Sequence, residues 1–341
     1  RGSNIELKEL TMSENNKCKA VGWATLGVAN AITLTKLGWI LYSKRYIDHN
    51  AKLNVILKAE QHIFESRTAG KINFYVNPDG NQDPVLLIHG LHLYAGIYEM
   101  QPIFDAFSTL GPMYVIDLPG FGRSEKTDRP YRPSMYAAAI LEFVKDQIGK
   151  PCHVVCMGNA SEFAAIAAVN EPEWFKSVIM INPSGLQMPS SYSLASKNRL
   201  DKVRDALLSL LKIPLWSLPL YDLLASRTHI ASYYHNLFRF QTPGELIDLA
   251  YTSTHQHGAH FAPIVFLSGK LNVADVRERF YEKLNVPVLA VYDNEPGKSF
   301  DMLPQMVHNH KNWQAFRSKN TKGMPHFENT GELFRQFDLF W

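Results

Sequence analysis

Cysteine is scarce in this chain. Cys18, Cys152 and Cys156 are the only three among 341 residues. An odd, sparse set argues against a disulfide framework and fits a reducing compartment. Cys152 and Cys156 fall on one expected strand, too far apart along it to bridge. Charge of one sign is also lacking: 35 basic residues against 32 acidic ones leave a net +3, which argues against nucleic acid as the main partner. There is no internal repeat and no low-complexity tract. A membrane-spanning helix wants roughly 20 apolar residues. The uncharged run Val21 to Thr35 is shorter than that and contains Asn30 and three threonines. Lys17 and Lys19 precede it, and Lys36, Lys44 and Arg45 follow it. Two readings stay open for residues 20–42: a helix packed on the protein itself, or a segment that contacts a membrane surface or a partner. The expected location is cytoplasmic, with membrane association as the alternative, and a cleaved signal is not expected. Arg1-Gly2-Ser3 reads as a cloning remnant, since no Met starts the chain, and is left out of fold reasoning.

Hydrophobic residues, at 46%, suffice for a large buried core. Ile63-Phe64-Glu65-Ser66 and Ile72 to Val76 read as a hairpin turning at Ala69-Gly70. Pro84-Val85-Leu86-Leu87-Ile88 is a continuous apolar run, as expected of a strand buried on both faces. Met113 to Asp117, His153 to Met157, Val178 to Ile181 and Val286 to Tyr292 repeat that pattern, with a last strand near Trp313 to Arg317. Helical segments fall between them, from Tyr98 to Leu110, Tyr136 to Ile148 and Phe163 to Ala168, and Glu332 to Phe340 closes the chain. Strands alternating with helices predict an α/β fold with a mostly parallel twisted sheet flanked by helices. From about Gln187 to Phe266 buried strands stop and helix-like segments take over, among them Leu200 to Leu211 and Gly244 to Ala250. The expected division is an N-terminal helical extension (1–60), a core (61–186 and 267–341) and a helical cap insertion (187–266).

One side chain is missing where the chain leads the eye to expect it. His153-Val154-Val155-Cys156-Met157 followed by Gly158-Asn159-Ala160-Ser161-Glu162 has the strand, sharp turn and helix of a nucleophile elbow, normally written G-x-S-x-G. Counting from the helix and the following strand puts Gly158 at the apex, where a Ser would project its hydroxyl. Glycine suits the strained backbone but cannot attack a carbonyl. Ser161 lies in the first turn of the helix and is expected to cap it, and Cys156 is expected to be inert packing. His255, His257 and His260 are close in sequence, but no acid or Cys adjoins them, so no metal is expected. No cofactor is expected either.

Three further stretches carry a resemblance. His89-Gly90-Leu91 ends a buried strand. Asp117-Leu118-Pro119-Gly120-Phe121-Gly122-Arg123-Ser124 has the form D-x-P-G-x-G-x-S. Gly323-Met324-Pro325-His326-Phe327-Glu328 precedes the last helix. Together with the elbow frame, and over roughly residues 60 to 341, the chain resembles the α/β-hydrolase fold with a helical cap. It is most like bacterial hydrolase-like proteins whose elbow reads Ser-Leu-Ser-Ser-Glu-Phe and whose ending reads Gly-Leu-Pro-His-Phe-Glu. The resemblance implies an oxyanion hole from the backbone N–H groups of Leu91 and Asn159. It implies an acid after the strand ending at Tyr292, either Glu295 or its competitor Asp293, and a base at His326. In many family members the base stands a few residues earlier, where this chain has Gly323. Trp216, Tyr221, Tyr233 and Phe238 are candidates to line a pocket for a small apolar acyl ligand; the alternative is the cap's own core. Three functional readings follow. The first is an esterase- or lipase-like hydrolase made inactive at Gly158. The second is a natural pseudohydrolase that binds a small apolar ligand or a protein partner. The third is non-hydrolytic chemistry on a His–acid pair, as in a lyase or a cofactor-free oxygenase.

Overall fold

A computed structural model of the chain describes residues 35–53, 57–108, 111–188 and 194–341. All of Val21 to Thr35 except Thr35 lies outside the described residues. Two units are distinguished, Arg1–Ile47 and Asp48–Trp341. In the first, residues 35–46 form a helix. Leu37, Leu41, Tyr42 and Tyr46 are exposed on it, and Trp39, Tyr42 and Tyr46 stack in series at 5.7 and 5.6 Å.

The second unit is built on one eight-stranded sheet. Its strands are β1 (Glu60–Ser66), β2 (Gly70–Asn77), β3 (Val85–Ile88), β4 (Met113–Ile116), β5 (Cys152–Met157), β6 (Phe175–Ile181), β7 (Val288–Tyr292) and β8 (Trp313–Arg317). They lie in the order β1-β2-β4-β3-β5-β6-β7-β8. β1 and β2 pair antiparallel and β2 meets β4 antiparallel, while every pairing from β4 to β8 is parallel. Alternation along each strand sends side chains to two buried layers. Leu86, Ile88, Val154, Cys156, Val178 and Met180 face one core with α2 (Pro133–Glu142) and α3 (Ala160–Asn170). Leu87, Val155, Ile179 and Leu289 face another, with α1 (Gln101–Phe107) and a C-terminal helix (Thr330–Phe340). Tyr136 of α2 stacks on Phe163 of α3 at 4.9 Å, a contact worth about 1 kcal/mol beyond the area it buries.

Element boundaries differ modestly from expectation. The helix expected over Tyr98 to Leu110 runs through Ile97–Met100 and α1, with residues 109 and 110 outside the described set. The strand expected from Val286 begins at Val288, because Pro287 has no N–H to donate to a ladder. Between β6 and β7 the described residues hold helices and no strand: α4 (Leu194–Leu211), α5 (Ser217–Leu224), α6 (Arg227–Leu237), α7 (Gly244–Thr254) and α8 (Phe261–Leu267). Register then fixes the candidate site. Ile88 pairs with both Ile116 and Cys156, Met157 with Ile181, and Ile181 with Val291. His89, Asp117, Gly158, Asn182 and Asp293 therefore emerge side by side at the carboxyl edge of the sheet, where open α/β sheets bind their ligands.

Candidate functional site

The turn after β5 is as sharp as its sequence implies. Gly158 has φ +56°, and its N–H donates to the Ile181 carbonyl at 2.9 Å. A Cβ added at Gly158 would meet a single heavy atom within 4 Å, Lys298 Nζ at 3.5 Å. The apex thus faces open space with one cation across it. Of the two neighbours, Cys156 is the inert packing expected of it, while Ser161 does not cap its helix. Ser161 is fully buried and accepts a 3.6 Å contact from the Cys156 thiol, and it makes no capping bond to its helix. Burial pushes the Cys156 thiol up to about 12, so it stays protonated.

The strand-end turn at His89 is locked by a buried imidazole. His89 Nδ1 donates to the Gly90 carbonyl at 2.6 Å, and its Nε2 accepts the Leu118 N–H at 3.0 Å. Burial lowers its pKa, which keeps the ring neutral in that tautomer. The glycine-rich loop has a structural reason of its own. Asp117 accepts from Asn73 Nδ2 and from the Arg123 N–H, and a side chain at Gly122 would collide with its carboxylate. Ser124 Oγ donates to the Asp117 carbonyl and accepts the Asn73 N–H. These bonds hold His89-Gly90-Leu91 beside the elbow. Among the described residues no partner takes the backbone N–H of Leu91 or of Asn159. The Asn159 side chain reaches Asn272 Oδ1 at 3.2 Å.

The acid and base positions depart from the expected pairing. Glu295 bonds Lys298 Nζ at 3.0 Å, and His326 Nε2 donates to the Glu99 carbonyl at 2.6 Å. No hydrogen bond joins Glu295 to His326 among the described residues, so the pair that the resemblance implied is not formed. His326 is wholly buried, and burial lowers it to about 4; Nδ1 has no partner. Asp293, directly after β7, is the carboxylate at the sheet edge. It accepts from Asn182 Nδ2 (3.0 Å), Thr321 Oγ1 (2.9 Å) and the Gly323 N–H (2.7 Å). Gly323 thus sits directly against this acid. Its φ is +152°, and a Cβ there would meet Leu237 Cδ2 at 2.8 Å and Leu237 Cα at 3.3 Å. The end of α6 therefore packs closely against Gly323.

Residues that sequence reasoning missed complete the site. Lys298 Nζ donates to the Asn182 carbonyl at 2.8 Å as well as to Glu295. The spacing of Glu295 and Lys298 across a Pro-Gly turn was the signal that could have found this pair. Asn182 has φ +46° and ties Asp293, Gly323 and Lys298 together. Glu162 accepts from Ser184 Oγ and from the Val273 N–H at 2.7 Å, and burial raises it to about 7. His92 Nε2 donates to Glu99 at 2.6 Å, and Tyr234 donates to the same oxygen at 3.0 Å. Burial alone would raise Glu99, but His92 holds it below the usual carboxylate range.

Of the four aromatic candidates, Tyr233 packs on the His92 ring at 4.7 Å, and Tyr221 donates to the Leu93 carbonyl at 2.8 Å. Phe238 packs on Phe327 at 5.6 Å, and Trp216 donates to the Leu210 carbonyl at 3.0 Å. Only Tyr233 has a contact in the loop after β3 through its ring. His255 Nδ1 donates to the Tyr251 carbonyl, and burial lowers His260 to about 4. Among the described residues no group of three or more His, Cys, Asp or Glu could hold a metal ion. None of their helices is long and apolar enough to cross a membrane. An open cleft of about 890 Å³ has Arg132, Lys212, Lys270 and Phe280 in its walls.

Comparison with known proteins agrees with this architecture. A family model described as "Alpha/beta hydrolase family" matches residues 85–331. No curated protein matches the chain. Among solved structures, a membrane phospholipase A described as a bacterial virulence factor superposes with a TM-score of 0.61 at 17% identity, over 95% of this chain and 97% of that one. A putative lipase from Acinetobacter baumannii gives 0.62 at 15% identity, over 89% and 95%. An esterase from Exiguobacterium antarcticum gives 0.62 at 13% identity, over 82% and 99%. At these identities the likeness is one of fold.

Proposed function

The chain belongs to the alpha/beta hydrolase family, and we propose that it has kept the family's site as a place to hold an acyl compound while giving up serine hydrolysis. The observation that carries this reading is Gly323 packed against the backbone of Leu237. A lost nucleophile can be undone by one substitution. A base position filled by a packed helix end cannot. Asp293 is already held by three donors, Asn182, Thr321 and the Gly323 N–H, which fix its carboxylate toward its own loop neighbours. The oxyanion amides of Leu91 and Asn159 are backbone groups and survive the change of side chains. Esterase- and lipase-like relatives supply the ligand class, an acyl compound, and the helical insertion would cover it as a cap, with Tyr233 as its contact. The third reading, His–acid chemistry, is less favoured. His92 has a buried acid, but Nε2 is committed to Glu99 and Nδ1 accepts the Tyr94 N–H, so neither nitrogen is free to take a proton.

Ester hydrolysis and fluorophosphonate labelling test the proposal on the native chain, Gly158→Ser and Gly158→Ser/Gly323→His. We expect no turnover and no label in the first two. Turnover by the native chain that is sensitive to His326→Ala, or labelling of Gly158→Ser alone, would overturn it.

For residues 20–42, together with the rest of the described helix 35–46, we infer contact with an anionic membrane surface. Exposed Leu37, Leu41, Tyr42 and Tyr46 accompany Lys36 and Arg45 on one short helix. Apolar and aromatic side chains with basic neighbours suit the interface of an anionic bilayer. Sedimentation with phosphatidylserine vesicles should be lost when residues 1–47 are removed; sedimentation that is unchanged refutes the contact.

A further inference from the structure

The apex of the elbow is empty of side chain but not of chemistry. Three donor groups lie at this edge of the sheet, where β3 and β5 end side by side. Two are the backbone N–H groups of Leu91 and Asn159, which no described residue takes. The third is Lys298. An ammonium carries three N–H donors. Asn182 and Glu295 occupy two of them at 2.8 and 3.0 Å. The third is left for whatever occupies the space 3.5 Å away, where a side chain at Gly158 would begin. In an active hydrolase the amides meet negative charge that exists only in the transition state, and the apex holds a neutral hydroxyl. Here a permanent cation faces the apex instead.

We propose that the vacated elbow is a binding site for a carboxylate, so that the chain holds free acyl acids in preference to their esters. This rests on the reading of the chain as a non-hydrolytic family member. One carboxylate oxygen lies between the Leu91 and Asn159 amides, and the other takes the free Lys298 donor. An ester offers its carbonyl to the amides but has no charge for Lys298. Charge-assisted bonds are roughly twice as strong as neutral ones, so acid and ester separate by about tenfold or more in affinity.

Glu295 already shares this lysine, and a second carboxylate must be accommodated. Its Oε2 is buried without a partner, and burial raises its pKa. The groups that bear on it are Lys298, which opposes that rise, and Asp293 and His92, with Tyr233 facing it from α6. An arriving anion pushes Glu295 further toward its protonated form. Binding therefore takes up a proton, and affinity falls as pH rises, by at most about tenfold per unit for one proton.

Titration calorimetry of the full chain with octanoate and with methyl octanoate tests this directly. The native chain should bind octanoate at least tenfold more tightly than the ester. Lys298→Met should remove the preference, and Lys298→Arg should retain most of it. Equal affinity for acid and ester in the native chain overturns the proposal, whatever the variants do. So does an undiminished preference in a folded Lys298→Met. If methyl octanoate is instead consumed, the non-hydrolytic reading itself fails, and the product peak distinguishes that outcome from a simple lack of binding.

Discussion

Two glycines, Gly158 after β5 and Gly323 beside Asp293, lie at the same edge of the sheet, and their surroundings differ. Gly158 opens on space, with Lys298 Nζ the one neighbour that a Cβ would meet, at an ordinary contact distance of 3.5 Å. Gly323 is closed, with Leu237 side chain and backbone at 2.8 to 3.3 Å from the same imagined atom. One position has room for a side chain. The other has none. A side chain can be placed at the first by a single change, and at the second only by moving α6.

The strongest way to break this contrast is to place the missing base. Gly323→His should destabilise the fold by on the order of 4 kcal/mol, from a backbone angle that suits glycine and from overpacking against Leu237. Urea unfolding measures it. Leu237→Ala in the same chain should recover part of the loss, since it removes the nearest atom, Cδ2, though not the backbone. A Gly323→His chain as stable as the native one would mean that the base position is open after all.

The two positions should also answer differently to pH. The elbow side is anchored by a buried polar group: Glu162, in the first turn after the apex, ties α3 to Ser184 and to the Val273 amide. Its pKa is raised to about 7 from the ordinary 4.5, with burial as the cause and the two hydrogen bonds opposing it. The folded state thus holds a proton that the unfolded chain releases. The stabilisation is fully present below pH 4.5 and is lost as pH rises through about 7. Over that window the native chain should lose roughly 3 kcal/mol relative to Glu162→Gln. Unfolding midpoints of the two proteins from pH 4 to 8 give the difference. The Gly323→His penalty, being steric, should keep its size across the same range. A flat difference for Glu162→Gln would remove the polar anchor from the account.

Much of this was legible in the chain, for reasons that can be named. Val85 to Ile88, Cys152 to Met157 and Val288 to Tyr292 are apolar runs that only a doubly covered strand explains, and β8 begins and ends where its sequence implies. Gly158 and the backbone amides of Leu91 and Asn159 depend on local chain geometry, which sequence order carries. The partners of Glu295 and His326 do not. Glu295 turns back three residues to Lys298, and His326 reaches across 227 positions to the Glu99 carbonyl. Asp293, named only as a competitor, holds the sheet edge because Thr321, Gly323 and Asn182 converge on it from two other segments. Leu237, on α6 between β6 and β7, packs against Gly323 from far along the chain, and no local motif could announce it. Ser161 likewise turned inward to Cys156 rather than capping its helix, a choice made by burial.

The smallest effect is also the sharpest test of the open position. Gly158→Ala adds one methyl group at φ +56°. A non-glycine residue in the left-handed region costs about 1 kcal/mol. The methyl itself adds little, because its single neighbour lies at 3.5 Å at the end of a flexible lysine. The loss should therefore be about 1 kcal/mol by urea unfolding, and Gly158→Ser should lose no more. A sharp strand-to-helix turn of the G-x-S-x-G kind carries a serine, so such a backbone tolerates a Cβ when the surroundings leave space. A loss near that of Gly323→His would mean that the apex is as tightly filled as the base position. The two glycines would then have been lost together to packing, and no room would remain at the elbow for a ligand.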